Sequence, residues 1–254
     1  MKYLIGNWKM NLGVTESLNL LVSLIENKSS FDSVEVVICP SLLALVPVFA
    51  KNKNTFSLGA QNCFYADEGD FTGEVSSKQL EGFVKYCLIG HSERRRILKE
   101  NNKDINLKVK SCLRNSIKPI ICVGETLNQK QSGETEAVLR DQIDGMLMGV
   151  PRSDIKQTLI AYEPVWAVGK GITPDVNDIE YAINIIKTQL VFMYGESSVP
   201  VLYGGSVDDT NADNIMSLPQ VSGLLVGGSS LNAEKFAIIG EIIKRGSGLT
   251  WSQT

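Results

Sequence analysis

The 254-residue sequence predicts an α/β fold, a closed (β/α)8 barrel in a single domain spanning 1–254. Three observations carry that prediction. Short segments rich in Val, Ile, Leu and Tyr recur eight times, the stretches between them repeat apolar residues at helical spacing, and no Ser/Gly/Pro-rich linker divides the chain. Eight βα units in about 250 residues are the count and size of such a barrel. Alternation does not say whether the sheet closes, so a doubly wound open sheet is the alternative.

Strands are expected at 3–7, 34–39, 55–60, 84–90, 117–123, 158–162, 199–203 and 221–226. Several are nearly continuous apolar runs, as strands buried on both faces are. After the first strand, Val14, Leu18, Leu21 and Ile25 fall on one helical face. Residues 61–76, QNCFYADEGDFTGEVS, form a connection too long and aromatic to be routine. Its Phe64, Tyr65 and Phe71 either pack on one another or insert into a second subunit. Ile105, Val109 and Cys112 mark a helix after the fourth strand. After the sixth, Thr173 is expected as N-cap and Pro174 at the first helical position, ahead of a stripe through Val176, Ile179, Ala182, Ile183, Ile186 and Leu190. Residues 246–254, with Gly246 and Gly248, read as a flexible tail on which Trp251 packs back.

Composition narrows the function. Hydrophobic residues make up 43% and the net charge is −3 without a Lys/Arg run, which speaks against nucleic-acid and anionic-membrane partners. No apolar run reaches the ~18 residues of a membrane span, and the N-terminus lacks a signal-peptide pattern. Five cysteines without a CxxC pair suit a reducing cytoplasm better than a disulfide framework, and a single histidine argues against a His-rich metal site.

In a barrel the strand C-termini converge on one mouth, so their polar residues are the candidates for chemistry. Strand one ends in Asn7-Trp8-Lys9, strand four runs into His91, strand six ends in Glu163, strand seven in Gly204-Gly205-Ser206 and strand eight in Gly227-Gly228-Ser229-Ser230. Taken singly, each has a bland structural reading: a surface lysine, a core histidine, a helix-start acid, a glycine turn. Together Lys9, His91 and Glu163 supply a cation, a donor and a base around one cavity, which is a catalytic set. The paired glycines let backbone N–H groups approach an anion, and a helix starting beside Ser229 and Ser230 would turn its positive end toward it. Neither GxGxxG nor GxxxxGK[ST] is present, which weakens dinucleotide and NTPase readings.

The strings GNWKMN (6–11), GAQN (59–62), FTGE (71–74), IGHSERR (89–95), ICVGET (121–126), AYEPVWAVGKG (161–171), YGGSV (203–207) and LLVGGSSL (224–231) stand in order along nearly the whole chain. In them the sequence resembles the triosephosphate isomerase family. The resemblance implies interconversion of D-glyceraldehyde 3-phosphate and dihydroxyacetone phosphate without cofactor or metal. Glu163 would be the base, and His91 a neutral electrophile whose pKa is lowered by the helix start at Ser92, tuning for which this family is a known example. Lys9 would offset the enediolate charge beside Asn7, Trp8 would complete the substrate-binding strand end, and Gly169, Ser206, Gly227 and Gly228 would hold the phosphate. Pro164-Val165-Trp166 would be the stiff first hinge of a lid closing through Gly169. Glu93 would pair with the neighbouring arginines, and Thr72 and Glu74 would lie on the loop of a homodimer. Two departures stand out: the lid reaches Thr173 and Pro174 sooner after Gly171 than is usual, and Ser229 replaces a common alanine.

Overall fold

In the computed structural model, which describes residues 1–168, 174–195 and 198–246, eight parallel strands close into a barrel in sequence order. They are β1 (Lys2–Asn7), β2 (Val34–Cys39), β3 (Ser57–Ala60), β4 (Tyr86–Ile89), β5 (Lys118–Val123), β6 (Leu159–Tyr162), β7 (Val201–Tyr203) and β8 (Gly223–Val226). Every expected strand is present: β1 starts one residue earlier than expected, β2 has the expected bounds, and the other six are shorter by one to three residues. Closure is made where β1 pairs with β8, Leu4 opposite Leu224 and Ile5 opposite Leu225. That pairing rules out the open sheet.

The helices of the described residues are α1 (Val14–Glu26), α2 (Leu42–Asn52), α3 (Ser77–Leu80), α4 (Ser92–Ile97), α5 (Asn102–Arg114), α6 (Leu127–Gln131), α7 (Thr135–Leu147), α8 (Val176–Tyr194), α9 (Ala212–Met216) and α10 (Ala233–Gly246). None is long and apolar enough to cross a membrane. On α1 the buried face centres on Ser17, Leu21 and Leu24, with Val14, Leu18 and Ile25 half-buried beside it. Helix α8 starts later than expected. Its N-cap is Asp175, whose Oδ1 accepts the Asn177 N–H at 2.8 Å, so Pro174 precedes the cap and Thr173 lies outside the described residues. An aspartate N-cap satisfies an orphan N–H of the first turn, and the proline needs no helical place. The expected tail falls outside the described residues from 247 onward, Trp251 included.

The core has two layers because strand side chains alternate between faces. Ile5, Val37, Tyr86, Leu88, Ile120, Cys122, Leu159, Ala161, Leu202 and Leu225 fill the barrel interior. Leu4, Val36, Ile38, Cys87, Ile89, Ile121, Ile160, Tyr162 and Leu224 point outward into the shell beneath the helices. Extending the inward rows past the strand ends brings Asn7 and Lys9, Glu163, Gly204 and Gly227 to the mouth. The loop 61–76 packs on itself, with Phe64 stacked on Tyr65 at 4.3 Å and tilted against Phe71 at 4.6 Å. Its tip, Phe71 to Glu74, is exposed.

Candidate active site

Glu163 continues the inward row of β6 set by Leu159 and Ala161. It is 1% exposed. A Cβ at Gly124 would fall 1.8 Å from the Glu163 carbonyl oxygen, so a glycine is needed for the end of β5 to pass this close. The Glu163 carboxylate is held on one side, where Oε2 accepts the Ser92 N–H at 3.0 Å. Its Oε1 lies 2.9 Å from His91 Nε2 but off the line of a good hydrogen bond.

His91 caps α4 and accepts the Glu93 N–H at Nδ1, 3.3 Å away. A nitrogen accepting that bond carries no proton, so the imidazole proton belongs on Nε2, which faces Glu163. Gly90, at φ +70, makes the sharp exit from β4 that sets this orientation. Burial alone would lower the His91 pKa, but the adjacent Glu163 carboxylate outweighs it and holds the imidazole above its ordinary 6.5. This reverses the lowering expected from the helix start, since a full charge at contact distance exceeds the partial charge of a short helix. For Glu163, burial pushes upward, while His91, the Ser92 N–H and Lys9 together bring the carboxyl below its ordinary value.

Lys9 takes a left-handed backbone, φ 52, uncommon outside glycine. Three contacts fix it: Lys9 N–H donates to Asn7 Oδ1 at 3.1 Å, Gln61 Nε2 donates to the Lys9 carbonyl at 2.8 Å, and Lys9 Nζ reaches Glu93 Oε1 at 2.6 Å. Backbone strain held by surrounding contacts is characteristic of functional positions. Glu93 therefore pairs with Lys9, whereas Arg94 pairs with Glu100 at 2.6 Å and Arg95 donates to the Gly90 carbonyl at 2.9 Å. Trp8 is not brought to this cavity. It lies fully buried in the outer shell, because a residue between inward Asn7 and inward Lys9 must point the other way.

Asn7, Lys9, His91 and Glu163 line a cavity of about 240 Å³ whose opposite wall is Gly204 to Asp208 and Gly227 to Ser229. A 3-10 turn, Gly228–Leu231, begins on that wall where a helix was expected to start beside Ser229 and Ser230, and the α-helix α10 follows from Ala233. Gly169 lies outside the described residues, as do Ile172 and Thr173, where the lid exit was expected. The expected first hinge, Pro164 to Trp166, is described, and it rests on an acid that reading by strand ends passed over. Glu125, 1% exposed, accepts from Tyr162 Oη at 3.1 Å and from Trp166 Nε1 at 2.8 Å, and its carbonyl accepts the Val165 N–H at 3.0 Å. Ser206 Oγ donates to the Ala167 carbonyl at 3.0 Å, tying the hinge to the β7 loop. The only sequence signal for Glu125 was its place in ICVGET, at the end of a strand.

Comparison with known proteins decides the family. A sequence model described as triosephosphate isomerase matches residues 2–243. The chain belongs to the triosephosphate isomerase family. A triosephosphate isomerase of Chlorobium phaeovibrioides is 42% identical over 244 residues, covering 94% of this chain and 97% of its own. One from Chloroherpeton thalassium is 39% identical over 249 residues, covering 96% and 98%. The crystal structure of triosephosphate isomerase from Bartonella henselae superposes with a TM-score of 0.86 at 33% identity, covering 96% of this chain and 99% of that one. Triosephosphate isomerases interconvert D-glyceraldehyde 3-phosphate and dihydroxyacetone phosphate in glycolysis, and this chain is an isomerase of that family.

Proposed function

We propose that Glu163, His91 and Lys9 carry the isomerisation, with Asn7 positioning Lys9 and substrate oxygens, and with Ser206, Gly227 and Gly228 receiving the phosphate. The observation that supports this most is one cavity with a buried carboxylate and His91 Nε2 on one side and a glycine-lined wall on the other. Glu163 is parked on Ser92 and His91. A triose phosphate entering with its phosphate on the glycine wall sets its carbon chain between these groups, and Glu163 leaves Ser92 to take a proton from the carbon beside the carbonyl. As the carboxylate moves off, the largest cause that raises His91 is removed and only Glu93 still favours the charged ring. Burial, Lys9 and the helix start then favour the neutral imidazole, whose Nε2–H donates to the oxygens as charge develops. Lys9 Nζ offsets the enediolate charge, and the proton returns to the neighbouring carbon. Gly169 closing on the phosphate is part of this reading and comes from the family resemblance.

The chain as a homodimer, acting as one catalytic domain in the cytoplasm, completes the proposal. A groove of about 250 Å³ lined by Met10, Gln61, Ile97 and Leu98 borders Lys9 and Glu93. Met10 is 96% exposed there, an apolar surface suited to the exposed Phe71 tip of a second copy. All five cysteines are unpaired and buried, in keeping with a reducing compartment. The decisive assay follows both reaction directions in EDTA for the natural chain and Glu163→Asp. Retracting the carboxylate by one methylene slows turnover by orders of magnitude with the circular dichroism unchanged; equal turnover in the variant sinks the assignment of the base.

A further inference from the structure

Three of the five cysteines meet in the outer shell, away from the cavity. Cys63 follows β3, Cys87 lies in β4 and Cys112 in α5, and their sulfurs all lie within 4.8 Å of one another. Cys63 Sγ and Cys112 Sγ are 3.5 Å apart. The three are 0 to 1% exposed, so they sit in an apolar, dry setting. Among the described residues no fourth Cys, His, Asp or Glu joins them. Lys108, on the same helix as Cys112, is committed to Asn62 at 2.8 Å and to Glu100.

We propose that Cys63, Cys87 and Cys112 form a three-coordinate trithiolate site for a soft trivalent ion of the arsenite type. Metal–thiolate bonds of ~2.3 Å place three sulfurs ~3.5 Å apart around a pyramidal centre and ~4 Å apart around a planar one. The Cys63–Cys112 spacing already meets the pyramidal value, and Cys87, within 4.8 Å of both, needs to close by no more than about 1.3 Å. Charge selects the ion. Three thiolates around a monovalent soft ion leave two negative charges, and around a divalent ion one, in a shell where unpaired charge is costly and Lys108 is already paired. Divalent zinc also seeks a fourth ligand. With arsenous acid, three As–S bonds form, three As–OH bonds break and the three thiol protons leave in three waters. Nothing is oxidised or reduced, and the product is neutral.

The buried sulfurs are reached when the start of loop 61–76 opens, so loading is slow. It staples that loop to β4 and α5, two residues from Gln61, which holds the Lys9 carbonyl.

The test uses the reduced full chain, first stripped of metals, titrated with arsenite alone and then in competition with Cu(I) and with Zn(II). Native mass spectrometry reads stoichiometry, and alkylation after unfolding counts protected thiols. One arsenic per chain, protecting three thiols and displacing the other two ions, is expected. Cys63→Ser, Cys87→Ser and Cys112→Ser each weaken retention ~100-fold or more, while Cys39→Ser and Cys122→Ser leave it unchanged. The corresponding alanine variants, checked by circular dichroism, separate loss of a ligand from loss of the fold. No retention by the folded chain, retention indifferent to these three cysteines, or Cu(I) or Zn(II) held there in preference to arsenite overturns the proposal.

Discussion

The His91–Glu163 pair makes the most exposed prediction at the scale of the residue. Because the chain has one histidine, its imidazole resonances report one site without ambiguity. Titration of the ligand-free chain will show a pKa above 6.5, and Glu163→Gln will drop it below that value, since burial and Lys9 then face only the weaker pull of Glu93. Stability follows the same pair. A raised His91 contributes fully below its unfolded value of 6.5 and loses that contribution as pH rises through its folded pKa. A depressed Glu163 contributes above 4.5 and loses it as pH falls through its folded pKa. The thermal-stability difference between the natural chain and Glu163→Gln is therefore largest between about pH 4.5 and 6.5 and shrinks on going alkaline. A difference that grows above pH 8 contradicts the pairing. Trp8→Phe tests the reassigned tryptophan. Its Nε1 has no partner among the described residues, so losing an unsatisfied donor, worth ~1–3 kcal/mol, offsets much of the lost packing. KM should not move; a large rise in KM returns Trp8 to the substrate.

Among the elements, the expected hinge at Pro164 to Trp166 depends on its neighbours. Glu125→Ala strands the Tyr162 hydroxyl and the Trp166 indole N–H and should cost ~1–3 kcal/mol in chemical denaturation. Glu125→Gln keeps an acceptor and should recover most of it. Gly124→Ala puts a methyl into the Glu163 carbonyl and should cut kcat far more than it raises KM, because it displaces Glu163, the proposed base, and spares the glycine wall. At this scale the sequence was informative where spacing alone carries the physics. Apolar runs marked all eight strands, whereas the expectation of Trp8 at the substrate ran against the two-residue period through Ile5, Asn7 and Lys9, which turns it to the outer face, where it is buried. It was silent where partners come from different elements. The Lys9–Glu93 pair joins residues 84 apart, the Asp175 cap competes with an equally plausible Thr173, and the His91 pKa depends on a carboxylate 72 positions away.

On the whole-molecule scale, barrel closure gathers these residues, and it also gathers Cys63, Cys87 and Cys112, whose spacing fits no metal motif. Light scattering should find two copies per particle, and Phe71→Asp should shift the balance toward monomer with lower activity by placing a charge in the apolar groove. A fully active monomer at micromolar concentration refutes the dimer. The central claim is that one rim of the barrel moves a proton through Glu163, and isomerisation in D₂O tests it most directly. The natural chain should place deuterium on the carbon bonded to the carbonyl, and Glu163→Gln should abolish exchange and turnover together. Exchange that continues at the natural rate without the Glu163 carboxylate would contradict the account.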